Sequence, residues 1–567
     1  MQTKLYLALI IGSAALGLTS CSKMGALSAD NFNVTPSPIE AVGDQVPVTI
    51  NGRFPQKYMK KKAVVTVTPV LKYDGGEAIG APATFQGEKV EGNNQTISYR
   101  IGGNYTMKSN FAYVPEMEKS DLYLKFDARK GNRRYNVPKV KVGEGVLATS
   151  ALVNRTMKSS NIAFAPDAYQ HVIKQKANAN IKFLIQQAKI RNSELHSVSV
   201  KDFIKTLRDI RNDQERKDLE NVEVSAYASP DGGMKLNTAL AKNREKNTKQ
   251  YVSGTLKRAG LDGNINTKYT AEDWEGFQQL VSQSNIQDKE VILRVLSMYK
   301  DPEERERQIK NISAAFTELA KEVLPELRRS RITVNYNLIG RSDDEIEQQY
   351  KSDPSKLSVE EMLYSATLTD DQAKQAEIYK KTTQIYPNDY RAYNDLAVLA
   401  YQKGDFTTAK DYVQQALKAN SNAAEPNVNA GYLAMLAGDN AAAETYLAKG
   451  STSDAAGEAL GNLYLKQGKY AQAVKAFGDA KSNSAGLAQL LTKDYMTAAS
   501  TLSSVSKPDA MTYYLKAIIA ARTNNTSLAI DNLRNAVQQD ASLAKYAAND
   551  LEFKKIAANA AFQVLTK

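Results

Sequence analysis

Hydrophobic and polar positions change rhythm several times along this chain. Between residues 30 and 148, short β-branched runs recur: Val46-Pro47-Val48-Thr49-Ile50, Ala63 to Thr68, and the alternating Leu122 to Phe126. Turns rich in Gly and Asn separate them, among them Asp74-Gly75-Gly76 and Glu91-Gly92-Asn93-Asn94. Short strands with regular turn signals predict an all-β sandwich. Pro47 cannot donate to a ladder, which predicts an edge strand or a strand start there.

From 150 to 340 the rhythm is mixed. At its centre Val222, Val224 and Ala226 alternate with Glu223, Ser225 and Tyr227, the period of a half-buried strand. Ser229-Pro230-Asp231-Gly232-Gly233 is turn chemistry, and a long helix follows it. The i+4 row of that helix is Leu240, Arg244, Thr248, Val252 and Leu256, so a guanidinium stands among mostly apolar neighbours. Such a group needs a carboxylate or a wet groove.

Around this centre we expect a first strand at Asn161 to Phe164 and a helix from Ala168 to Ile190, with Ile173, Ile181, Leu184, Ile185 and Ala188 as its apolar face. A second helix is expected at Val200 to Ile210, with further strands at Asn264 to Tyr269 and Arg331 to Leu338. Residues 272–329 read as a helical insertion carrying the sole tryptophan, Trp274, and a long charged helix from Asp301 to Glu322. Trp274 is expected to be a core anchor. Residues 341–355 read as a polar linker, and residues 356–567 as Ala-rich helices with small residues at recurring offsets.

Charge and composition narrow the function classes. A net charge of +12 is moderate for 567 residues, and the basic runs Lys60–Lys62, Arg133–Arg134 and Arg328–Arg329 are short and scattered. That pattern gives no support to nucleic-acid binding. The single cysteine, Cys21, excludes an intramolecular disulfide framework and a multi-cysteine metal site. His171 and His196 stand in no metal-binding spacing, and no cofactor is expected. Asp273 and Glu275 form an acidic pair, but no nucleophile or metal set accompanies it.

Three resemblances add to this reading. Gly232, Asn237, Leu240 and Arg244 keep the relative spacing of the OmpA-like peptidoglycan-associated domain. The resemblance implies an α+β domain over 150–340 that grips diaminopimelate through an Asp and an Arg. Arg244 stands at the family's Arg, Ser229 replaces the family's Asp, and Asp231 is the nearest acid. Asp231, Asn237 and Arg244 are thus the candidate peptidoglycan-binding residues.

The run Leu460-Gly461-Asn462-Leu463-Tyr464 to Tyr470, with Ala473, Phe477 and Ala480, resembles the tetratricopeptide repeat, whose period is about 34 residues. Ala397, Gly404, Ala409 and Ala416 match an earlier repeat, and Gly431, Gly438 and Ala443 the next. Ala517, Ala520, Ala529, Leu533 and Ala536 match a late repeat, and Tyr495 and Ala498 a shortened one. The resemblance implies an all-α solenoid over 356–567 whose concave face is open to a protein partner. Finally, Leu18-Thr19-Ser20-Cys21 resembles a lipobox after an apolar signal segment at 1–20. It implies acyl chains on Cys21, with 21–29 as a tether.

The expected protein is a non-enzymatic lipoprotein of a diderm outer membrane, facing the periplasm. It would be a scaffold for protein partners and a link to peptidoglycan. The alternative is a docking subunit of a secretion, fimbrial or outer-membrane assembly complex that does not bind peptidoglycan. A third alternative is an enzyme acting on cell wall or glycan.

Overall fold

A computed structural model describes residues 24–286, 288–311 and 313–567. The signal segment and Cys21 lie outside the described residues. The chain forms two compact units. One joins the residues up to Pro166 with Thr369–Lys567, and the other is Asp167–Leu368.

In the first unit the amino-terminal part is built from mixed sheets, none of them closed into a barrel. A three-stranded sheet orders Phe32–Thr35, Gln45–Phe54 and Gly103–Ala112. A seven-stranded sheet is built on the long pair Val64–Tyr73 and Ser120–Lys130. Val46, Val48, Ile50, Met107 and Phe111 from the first sheet share one buried cluster with Val65, Val67, Leu71, Leu122 and Leu124 from the second. Alternation in each strand therefore supplies one inward face per sheet.

Two details differ from expectation. Gln45–Phe54 is the central strand of its sheet, not an edge. Pro47 is tolerated because Phe32–Thr35 pairs only as far as Thr49, so no ladder partner on that side needs its missing N–H. The expected tether over 21–29 is also not free where it is described, since Met24 and Leu27 are buried in the same β core.

The carboxyl-terminal part of this unit is a stack of helix pairs. They are Tyr390–Gln402 with Phe406–Ala419, Ala424–Leu436 with Asn440–Lys449, Ala456–Lys466 with Tyr470–Phe477, Asn483–Leu491 with Tyr495–Ser503, and Ala510–Arg522 with Thr526–Gln539. Small residues set their approach. A Cβ at Gly431 would lie 2.7 Å from Leu447, and one at Gly461 would lie 2.8 Å from the Phe477 ring. Gly404, Gly438 and Gly468 carry φ of 78°, 84° and 70° in the turns between paired helices. Asp405, Asp439 and Asp494 then cap the second helices through the backbone N–H of Thr408, Ala442 and Thr497.

The second unit is an α+β fold. Its sheet orders Val172–Lys182, Arg329–Ile339, Lys217–Tyr227 and Asn264–Thr270, antiparallel except for the last pair. The helices Val198–Asn212 and Met234–Ala259 cover one face, burying Phe203, Leu207, Val252 and Leu256 against Ala179, Val222, Val224, Ile332 and Val334.

The expected helix over 168–190 is instead the edge strand Val172–Lys182. Ala177, Ala179 and Ile181 turn toward the helices while Asn178, Asn180 and Lys182 alternate with them, a period of two. Leu184 and Ile185, counted as core, are exposed. Residues 161–164 form no strand and belong to the other unit.

The insertion is a small helical body with its own core of Phe277, Val281, Ile292, Leu296, Leu319 and Leu327. Its charged stretch is helical over Pro302–Asn311 and Ser313–Glu322. The expected linker is also corrected. Asp343–Ser352 is a helix started by a capping box between Ser342 and Glu345. Among the described residues no helix is long and apolar enough to cross a membrane.

Candidate functional site

The first helix of every pair faces a strap made by residues 149–166 of the same chain. The strap begins with short helical turns, Thr149–Leu152, Val153–Thr156 and Met157–Ser159, and continues from Ser160 in neither helix nor strand. Leu152, Val153, Met157, Ile162 and Ala163 enter the same buried cluster as Val398, Tyr401, Tyr432 and Leu463.

Polar contacts fix its course, which runs against the order of the repeats. Thr149 donates its hydroxyl to Glu552, which pairs with Arg522. Lys466 Nζ reaches Asn154 Oδ1 at 2.8 Å, and Ser484 Oγ reaches Thr156 Oγ1 at 2.8 Å. Tyr401 Oη donates to the Met157 carbonyl at 2.7 Å.

The last part of the strap is read through its backbone. Asn429 accepts the Ala163 N–H and donates to the Ala163 carbonyl, both at 2.8 Å. Asn394 donates to the same carbonyl at 2.8 Å and accepts from Asn429 at 2.9 Å. Asp395 accepts the Ala165 N–H at 2.8 Å. These side chains lie buried in a helix stack, and each is satisfied by a peptide group. Burial pushes the Asp395 carboxyl up to about 7, against the opposing pull of the Ala165 N–H and Asn394.

Sequence reading missed this set. The available signal was Asp395 and Asn429, which stand at the same distance before Gly404 and Gly438 on otherwise apolar helices. The concave face was expected to be open. Along these first helices it holds the chain's own strap.

The second unit brings together the three residues expected to bind peptidoglycan. Asn237 is buried and donates to the Gly232 carbonyl at 2.6 Å. Asp231 pairs with Arg328 at 2.7 Å and accepts the Ser229 hydroxyl at 2.7 Å. Arg244 is 1% exposed. Its Nε donates to Gln187 O at 3.0 Å, its Nη1 to Tyr227 O at 2.9 Å and its Nη2 to Leu184 O at 3.3 Å. Burial, with Arg328 nearby, lowers its pKa to about 10.

The acidic pair separates into ordinary roles. Asp273 caps the helix Trp274–Gln283 and pairs with Arg329 at 2.9 Å, while Glu275 sits in that helix's first turn. Trp274 packs edge-on against Phe277 and donates its N–H to Glu272. Among the described residues no cluster of His, Cys, Asp and Glu is arranged to hold a metal ion.

The tetratricopeptide repeat family model matches residues 390–422, the helix pair that carries Asn394 and Asp395. None of the curated proteins compared matches by sequence. Solved structures give fold-level likeness only. A tetratricopeptide repeat protein from Parabacteroides merdae is 13% identical, with a TM-score of 0.29 over 40% of this chain and 91% of its own. PilF of Pseudomonas aeruginosa is 16% identical, with a TM-score of 0.27 over 38% of this chain and 100% of its own. PilW, a type IV pilus biogenesis factor, is 16% identical, with a TM-score of 0.27 over 36% of this chain and 97% of its own. The family match and the helix pairs, rather than these scores, make this region a tetratricopeptide-repeat protein-interaction module.

Proposed function

We propose that the chain is a non-enzymatic docking subunit of a secretion, fimbrial or outer-membrane assembly complex in a diderm bacterium. It would be held at the membrane by acyl chains on Cys21. The observation that carries this reading is the repeat groove. Its polar side chains are built to hold an extended peptide by the backbone, which is binding chemistry and not catalysis. The lipobox resemblance supplies the anchor. Only Ser22 and Lys23 separate Cys21 from the buried Met24, so acylation would hold the β region close to the lipid surface.

The second unit keeps the strand, turn and helix that resemble the OmpA-like domain. We read it as a docking domain rather than a peptidoglycan clamp. The Arg244 N–H groups are engaged by backbone carbonyls, and Asp231 is held by Arg328. A ligand carboxylate would have to displace those partners.

Sedimentation with purified peptidoglycan tests the choice. The mature protein is expected to stay in the supernatant, while crosslinking in intact cells captures a defined set of envelope proteins. Co-sedimentation that is lost in Asp231→Ala would replace this reading with a wall-linking lipoprotein.

A further inference from the structure

The strap has two halves of different character. Leu152, Val153 and Met157 lie on helical turns and are buried to 2% exposure or less, as parts of the solenoid core. Asn161–Pro166 is in neither helix nor strand, and Asn161, Phe164 and Pro166 point outward. Its inward residues are Ile162, Ala163 and Ala165. The segment ends at the boundary between the two compact units.

We propose that the groove lined by the first helices of the first two pairs, Tyr390–Gln402 and Ala424–Leu436, is an exchangeable peptide site. In it, an extended, uncharged segment of a partner protein takes the place of Asn161–Pro166. This rests on the docking reading above and names the chemistry of the partner. The resident segment shows what the groove accepts: an aliphatic residue, a small residue, any residue, then a second small residue. Asn429 takes the N–H and the C=O of one residue, Ala163, and Asp395 takes an N–H two residues on. Neither contact depends on the identity of the side chain. Any chain that presents an aliphatic residue beside an alanine in extended form meets the same donors and acceptors.

The resident segment is tethered, so a free peptide has to compete with an effective concentration on the order of millimolar. Its helical half would stay in place during exchange and keep the solenoid core closed.

The test uses the full chain and a labelled synthetic peptide with the sequence of residues 157–167, read by fluorescence polarisation. Wild-type protein is expected to bind it weakly. Ala163→Pro removes the N–H given to Asn429 without altering the groove, and is expected to tighten binding at least tenfold. Adding Asn429→Ala should abolish the gain. No binding to the Ala163→Pro protein, with its repeat melting unchanged, overturns the proposal. Hydrogen exchange on the wild type gives a second readout. The Ala163 and Ala165 amides should exchange well before those of Tyr390–Gln402, and equal protection also overturns it. Failure here with envelope crosslinks intact leaves the docking reading standing. Peptide binding without those crosslinks upholds exchange and removes the docking reading.

Discussion

Asn429 and Arg244 each sit buried on a helix, and each satisfies backbone groups of a segment passing over it. Asn429 is neutral and offers one donor and one acceptor to the backbone of a single residue, Ala163, in a segment distant in sequence. Arg244 is a permanent charge whose donors reach three carbonyls, at Leu184, Gln187 and Tyr227. Releasing the peptide from Asn429 exposes neutral groups that water can satisfy. Withdrawing the carbonyls from Arg244 leaves a desolvated cation, which costs far more. One site is therefore suited to exchange, and the other to holding its own fold together.

The largest effect should come from Arg244→Ala. It strands three carbonyls and leaves a cavity, and is expected to destabilise the second unit by about 3 kcal/mol or more in denaturant unfolding. A stability loss below about 1 kcal/mol would mean that Arg244 is held loosely enough to serve a ligand. Asn429→Ala should have a smaller and local effect, about 1–3 kcal/mol for an unpaired peptide N–H. It should appear as faster proteolysis near residue 163, with little change in the melting of the repeats.

The comparison sharpens with pH. Burial raises the Asp395 carboxyl from its ordinary 3.8 to about 7, with Glu425 adding to the rise and Ala165 N–H, Asn394 and Arg391 opposing it. Opening the segment rehydrates the group. The docked form is then fully favoured below the ordinary carboxylate range, and that advantage is lost as pH climbs through about 7. Hydrogen exchange at Ala165 should quicken from pH 5 to pH 8 beyond the intrinsic rate, and Asp395→Asn should flatten the excess. The smallest effect is expected from Ser342→Ala, about 1 kcal/mol through loss of the capping box. Reduced helical signal from Asp343–Ser352 would be the readout.

The sequence was legible where period and turn chemistry agreed. The strand, turn and helix around Arg244, the strand Arg329–Ile339, and the glycine-marked repeats stand where their patterns put them. Val172–Lys182 was misread because its inward positions are mostly alanines, which suit a helix as well as a strand. Residues 343–352 look like a linker because they are polar, yet their first-turn acids and Ser342 form a helix start. The strap was illegible for a different reason. Its partners lie hundreds of residues away, and an extended segment that is bonded through its backbone leaves no period to read.

The discontinuity of the first unit bears on how the protein is made. Its β region and strap leave the ribosome long before the helices that complete their core, with all of residues 167–368 in between. At synthesis rates of about 5–20 residues per second, the apolar face of Leu152, Val153 and Met157 waits on the order of ten seconds or more for its complement. A nascent chain carrying that face uncovered is a natural client for a holding chaperone. Truncation before the last repeats should therefore yield an insoluble fragment rather than a shorter soluble one.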